Sequence, residues 1–331
     1  MLDRPFFELD ARWAAGAYWS DDQRVEPIYD LGHVQKRFAH QERIGQLYAG
    51  WSRGLVDGWA RRFTYGVASE EHAYEREHPT DPPPPEGRKL VYPWLGFELR
   101  ADDYAHASNF NQMHRVEDLA LGVHATARLG YSLPGLGADR RASIYRLGVE
   151  QGRTLPWRGT LLLAASTSGR VEDPGGWRGA LSLGDVRYYR RDFGDQIFLA
   201  HLGLAVAHQL DPEDQLMLGG DTGLRGYPQR YQNGDRRVLL QLEQRWFWDW
   251  YPYRLLRVGA AAFLDGGRAW FAGRSIPGPE HGWLADAGIG LRLSPSRSGL
   301  GNVIHVDLAF PLVSGTDIRR AEVVVSTQAT F

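Results

Sequence analysis

One arginine stands in a glycine-rich stretch, Gly219-Gly220-Asp221-Thr222-Gly223-Leu224-Arg225-Gly226-Tyr227-Pro228. Its guanidinium is a permanent cation with a planar fork of donors, suited to gripping carboxylates rather than to moving protons. The stretch is too long for a tight hairpin turn, and its four glycines permit positive φ or close backbone approach. We read it as a long loop that folds back inside the molecule and is held there by Arg225. Residues for covalent or metal chemistry form no comparable pattern. Gly219–Gly223 lacks the Lys-Ser/Thr of a phosphate loop and opens no helix. No Gly-x-Ser-x-Gly elbow occurs and no Ser–His pair stands out. The 11 histidines are scattered, and the pairs His33/His40, His72/His78 and His201/His208 show no ligand-like spacing with a third partner. On a strand, His201 and His208 would point to opposite faces. With no cysteine there is neither a disulfide framework nor a thiolate site. The expectation is a non-enzyme without cofactor or metal, whose chemistry is ion pairing.

The elements that must position Arg225 alternate with period two. Leu119, Leu121, Val123, Ala125, Ala127, Leu129 and Tyr131 share one face, against Gly122, His124, Thr126 and Arg128. Val238, Leu240, Leu242 and Trp246 oppose Arg237, Gln241, Glu243 and Arg245. Ala287, Ile289, Leu291 and Leu293 oppose Asp286, Gly288, Gly290 and Arg292, and Ile304, Val306, Leu308 and Phe310 oppose His305 and Asp307. Such alternation marks strands with two unlike faces. About fifteen segments fit: 5–19, 23–36, 42–53, 57–72, 88–102, 118–132, 142–153, 157–168, 177–191, 196–210, 235–249, 256–271, 283–296, 301–312 and 320–331. No stretch keeps a helical period over a useful length.

Two architectures share this pattern, a soluble sandwich and a closed membrane barrel. In the barrel the apolar face meets lipid and the polar face lines a lumen, so mean hydropathy, −0.41 here, does not separate them. Many segments exceed the ~10 residues a tilted strand needs to cross a bilayer. Trp13, Trp51, Trp59, Trp246 and Trp270 fall near segment ends, as interfacial girdle residues do. The opposing face repeatedly carries Arg, Glu, Asp, His and Gly, as a packed polar lumen would. Connections alternate between short (near 54–56, 154–156, 192–195 and 250–255) and longer ones (71–87, with Pro82–Pro85, and 211–234), as periplasmic turns and extracellular loops do. The long connection 103–117 breaks that alternation. The near-neutral net charge of −2 argues against nucleic acid as a partner. No run of ~18 apolar residues provides a transmembrane helix, and no signal peptide is visible. The expected fold is an all-β transmembrane antiparallel barrel of about 15–16 strands, filling 1–331 as one domain.

Leu224-Arg225-Gly226-Tyr227 is similar to the Val/Leu-Arg-Gly-Phe/Tyr motif in the sixth extracellular loop of the BamA and TamA superfamily of outer-membrane assembly factors, to which bacterial surface antigen proteins and two-partner-secretion transporters belong. Phe263-Leu264-Asp265-Gly266-Gly267 resembles the Phe-x-Asp-x-Gly motif of a following strand, and Gly234–Arg237 leads into a strand with Glu243 and Arg245 inward. Residues 195–331 carry the resemblance closely and the earlier strands by pattern only. It implies a sixteen-stranded barrel in the bacterial outer membrane, with this chain's first strand missing or the count off by one. It implies a loop tucked into the lumen and latched by Arg225 on Glu243 and Asp265. The C-terminal Phe331 resembles the terminal signal read by the assembly machinery. The implied function is inserting or translocating polypeptides through a weak seam between first and last strands. Outer-membrane lipid, substrate polypeptides and other assembly proteins are the implied partners. No POTRA domain fits in the chain. Alternatives are a membrane anchor or pore for an upstream-encoded enzyme such as a patatin-like lipase, or a passive structural barrel.

Overall fold

Period-two segments joined by turns can satisfy their backbone groups only by pairing sideways, and here they do so in one sheet. The computed structural model describes residues 1–78, 82–110, 112–113, 115–191, 195–274, 276–295, 303–315 and 317–328. Fifteen strands form the main antiparallel sheet, in chain order. The first half comprises β1 (Leu2–Arg4), β2 (Trp13–Asp30), β3 (His33–Val56), β4 (Trp59–Glu75), β5 (Arg88–Ala101), β8 (His124–Ser132), β9 (Arg141–Leu155) and β10 (Gly159–Asp173). The second half comprises β11 (Gly176–Arg191), β12 (Gln196–His208), β15 (Arg236–Phe247), β16 (Leu256–Trp270), β17 (Leu284–Pro295), β18 (Val303–Pro311) and β19 (Glu322–Gln328). Two small hairpins lie off the sheet, β6 (Tyr104–Ser108) with β7 (Val116–Ala120), and β13 (Leu216–Leu218) with β14 (Gln232–Gly234). Among the described residues β1 and β19 do not pair with each other.

The two faces of this sheet invert the arrangement of a water-soluble protein. Inward-facing Glu243, Arg245, Asp265, Asp286, Arg292 and Asp307 are all buried, the least accessible at 0%. Outward-facing Leu95 is 70% exposed, Leu47 64%, Ile289 61% and Val325 66%. Leu47 stands beside Val67, Leu95 beside Leu129, Leu204 beside Val238, and Leu308 beside both Ile289 and Val323, so the apolar positions join across strands into a belt. A belt of that extent exposed to water would be a severe liability, whereas lipid is its natural solvent. Trp13 and Trp51 face each other at one rim, and Trp51 stacks on Phe63 at 6.4 Å. Trp246 is the penultimate residue of β15, towards that rim, and Trp270 ends β16 at the other.

The early segments differ from expectation. Breaks at 20–22 and 37–41 are absent, so 13–19, 23–36 and 42–53 join in one tall hairpin, β2–β3, while 5–12, expected as strand, forms none, and the stub β1 precedes it. Its true turn is Leu31-Gly32, with φ of 49° and 78°, the doubly left-handed geometry that matches strand twist. The outer half of the hairpin, with Asp21, Asp22, Arg24, Glu42 and Arg43, is charged and carries no apolar alternation, which is why the pattern looked broken there. The next turn is Asp57-Gly58 rather than 54–56. Segment 118–132 divides into β7 and β8. Phe331 lies outside the described residues.

The unexplained connection after β5 is a folded element. β6 and β7 pair, and the bend between them buries Phe110 and Met113 beside Tyr189, Ile197, Phe247 and Val303. Phe110 lies flat on Tyr189, with centroids 4.6 Å apart and planes at 4°. Glu117 accepts the backbone N–H groups of Phe110 and Gln112 at 3.0 Å each. Phe110→Ala is expected to unseat this hairpin at a cost of about 3 kcal/mol. Faster cleavage within 103–120 by an added protease, with the sheet still folded, would register it.

Candidate functional site

The loop between β12 and β15 enters the sheet's concave side and is held at every turn. β13 and β14 pair at its neck. Between them the chain makes the close turn that the glycines permit. Gly219 has φ of 130°, and a side chain there would strike the Pro228 carbonyl. Gly226 is needed for space, since an added Cβ would lie 2.6 Å from the Asp286 Cβ. Leu224, Tyr227, Leu218 and Tyr231 bury against Leu239, Ala269 and Leu284. Tyr227 donates its hydroxyl hydrogen to the Ala285 carbonyl at 2.8 Å. Gln232 donates to the carbonyls of Glu280 and Gly282 and accepts the Ala269 N–H.

Arg225 lies at the centre. Its Nε and Nη2 donate to the two oxygens of Asp265 at 2.7 and 2.9 Å, a bidentate fork. Its Nη1 donates to Glu243 Oε2 at 2.9 Å and Asp307 Oδ2 at 3.1 Å. The guanidinium carbon sits 3.4 Å from the centre of the Phe263 ring, within cation–π range. Both partners named from the sequence therefore touch Arg225, and of the two motif residues one meets Arg225 and the other meets the loop at Leu218. Phe263 lies beneath the guanidinium, and Gly267 leaves room for Leu218 of the loop, 3.1 Å from where its Cβ would be.

The cluster extends beyond those expectations. Glu243 Oε1 also accepts from Arg245 Nε at 2.8 Å and Arg292 Nη2 at 2.9 Å, and Arg292 bridges on to Asp307. Three arginines thus interlock with three carboxylates on β15 to β18. Arg292 and Asp307 carried a visible signal, since alternation places both on the inward face with Glu243. Asp286 pairs in register with Asp265 and is fully buried, and among the described residues neither of its carboxylate oxygens accepts a hydrogen bond. Arg245 Nη1 donates to the Phe110 carbonyl at 2.8 Å. That contact joins the β12–β15 loop to the β6–β7 hairpin through a continuous path, Arg225–Glu243–Arg245–Phe110. Two polar cavities remain in the lumen, about 850 Å³ beside Arg225 and β19 and about 620 Å³ beside β7, and both touch Arg187.

The loop's outer part is fixed to the opposite wall. Gln215 donates to the Pro27 carbonyl and accepts the Tyr29 N–H, each at 3.0 Å. Arg170 of β10 grips Asp211 with two bonds of 2.6 and 2.7 Å. Arg88 of β5 and the Tyr74 hydroxyl of β4 both donate to Glu213. One loop therefore touches β2, β4, β5, β10 and β15 to β18, which requires the sheet to curl around it. Burial disfavours the charge on Glu213, but Arg88 and the Tyr74 hydroxyl outweigh it and hold the carboxyl down at about 2. A depressed carboxyl contributes stability above its unfolded value near ~4.3 and loses it as pH falls towards 2. Loop docking is therefore expected to hold at neutral pH and loosen between those values. Hydrogen exchange of the 211–215 amides across that range would reveal it.

No family model and no curated protein matches the chain. Two solved structures are similar to it in shape. One is CdiB from Escherichia coli, at 16% identity and a TM-score of 0.46, covering 88% of this chain and 55% of that one. The other is CdiB from Acinetobacter baumannii, at 13% identity and a TM-score of 0.47, covering 96% of this chain and 59% of that one. The chain spans a little under three-fifths of the length of either.

Proposed function

We propose that this chain is an outer-membrane β-barrel of the assembly and translocation superfamily, which helps polypeptides insert into or cross the outer membrane without covalent chemistry. One observation carries the reading. The lumen is occupied from one end by the arginine-held loop and from the other by the β6–β7 hairpin, and a single buried ion network links the two. A passive structural barrel has no need of two obstructions coupled through buried charge. A conduit that must stay shut until a substrate arrives does. The apolar outer belt and the polar, charged lumen support a lipid environment. In this reading Arg225 is the latch and Glu243 and Asp265 are its keepers, with Leu224 and Tyr227 as the packed flanks of the loop. Substrate polypeptides and other assembly proteins are the partners. A substrate strand would add by β-augmentation at a seam between the terminal strands.

The test uses proteoliposomes carrying the intact chain and an unfolded small eight-stranded barrel as substrate. Appearance of the substrate's folded, heat-modifiable form should be faster than in empty liposomes of the same lipid. Equal rates, together with no passage of an extended polypeptide into the vesicles, would overturn the proposal.

A further inference from the structure

The tall β2–β3 hairpin and β4 bring together two histidines that the sequence spacing leaves apart. His40 of β3 is fully buried and His72 of β4 nearly so. Their rings stack at 5.3 Å, and His40 Nε2 faces His72 Nδ1 at 3.0 Å. Glu213, from the inward loop, places Oε1 3.5 Å from the same His72 nitrogen. The three donor atoms lie within 4.8 Å of one another. Around a tetrahedral ion with bonds of about 2.0–2.2 Å, neighbouring donors stand roughly 3.3–3.5 Å apart. The two closest separations here, 3.0 and 3.5 Å, bracket that spacing.

The surroundings have the form that a metal site requires. The other nitrogen of His40, Nδ1, lies 3.2 Å from Glu26 Oε1. A proton held there by the carboxylate leaves the Nε2 lone pair free to face His72, the usual carboxylate–histidine–metal arrangement. Glu213 is held in place by the Tyr74 hydroxyl at 2.6 Å. Glu42 Oε1, 3.8 Å from His72 Nδ1, is within reach of a fourth position, as is water. Two imidazoles and a carboxylate select a first-row divalent ion such as Zn²⁺ over Mg²⁺ or Ca²⁺, which prefer all-oxygen ligands. One group opposes binding. Arg88 donates to the same Glu213 oxygen, and Asp211, 3.5 Å from Arg88, can receive the guanidinium when the ion takes its place.

We propose that His40, His72 and Glu213 form a binding site for Zn²⁺ or a similar divalent ion, with Glu26 positioning His40. The binding rests on this geometry alone. Its consequence, a metal staple between the inward loop and the β3–β4 wall, rests on the loop being a lumen plug.

The experiment titrates Zn²⁺ into the tag-free full-length chain, folded in detergent micelles and stripped with a chelator. Calorimetry reads stoichiometry, and the temperature of the heat-modifiable gel shift reads stability. The expected result is one Zn²⁺ per chain at micromolar concentration and a higher unfolding temperature. His40→Gln and His72→Gln should abolish stoichiometric binding. Glu26→Gln should weaken it by about 10–100-fold, and Arg88→Gln should tighten it by removing a competing cation. Glu213→Gln, a loop change that leaves the sheet intact, should also weaken binding. Absence of one-to-one binding by the wild-type chain would overturn the proposal. So would unchanged affinity in folded His72→Gln or Glu213→Gln. Binding without a stability change would keep the site and remove the staple, independently of whether the chain moves polypeptides.

Discussion

Arg225→Ala is expected to lower the temperature of the heat-modifiable gel shift by several degrees and to raise the conductance of the barrel in a planar bilayer. Breaking one side of a buried ion pair costs about 3–5 kcal/mol, because the partner charge stays buried. Asp265 is the residue most affected. It is fully inaccessible, and Arg225 brackets both its oxygens. Glu243 and Asp307 suffer less, since Arg292 still reaches both and Arg245 still reaches Glu243. Arg225→Lys should recover only part of the loss, because an ammonium cannot supply the fork or lie flat on Phe263. A wild-type shift temperature in Arg225→Ala would mean the loop is held by Leu224, Tyr227 and the neck hairpin alone.

Glu243→Ala should cost more than Arg225→Ala. Three guanidiniums converge on this carboxylate, from the loop, from β15 itself and from β17. Its loss leaves three buried cations with two carboxylates, Asp265 and Asp307, to share among them. It also frees Arg245, which holds the β6–β7 hairpin through the Phe110 carbonyl. The expected outcome is poor assembly, and in the fraction that folds, release of both lumen elements together. Glu243→Gln keeps the shape without the charge and should fall between wild type and alanine. The double variant Arg225→Ala/Glu243→Ala should cost less than the sum of the two singles, with a coupling in the range of about 0.5–3 kcal/mol expected of direct contacts. Additive costs would mean the two side chains do not interact in the folded chain.

Much of this site is legible in the sequence because an alternating strand fixes which way each side chain points. Glu243 and Asp265 face inward by parity, and Arg225 stands alone among glycines, so their meeting needs only a loop long enough to return. Parity equally places Arg292 and Asp307 inward. Their place in the cluster is not legible there, because parity gives a face and not a height, and only the register from β15 to β18 sets them level with Glu243. The β2–β3 hairpin escapes the sequence for a different reason. Above the apolar belt its strands carry charge on both faces, so alternation fades while pairing continues, and the Leu31-Gly32 turn lacks the Asn-Gly or Asp-Gly signature that marks such turns. His40 and His72 meet only because that hairpin continues so far, with Glu42 opposite His72 in register. The β6–β7 hairpin is too short for a periodic signal, and its seat on Tyr189 joins residues far apart in the chain.

Closure of the lumen by the Arg225-held loop is read by single-channel recording. Wild-type chain in a planar bilayer should sit in a low-conductance state with rare openings. Arg225→Ala should open often to a larger level, and removal of 219–228 should hold it there. Equal conductance in all three, with each variant shown folded by its gel shift, would contradict closure by the loop.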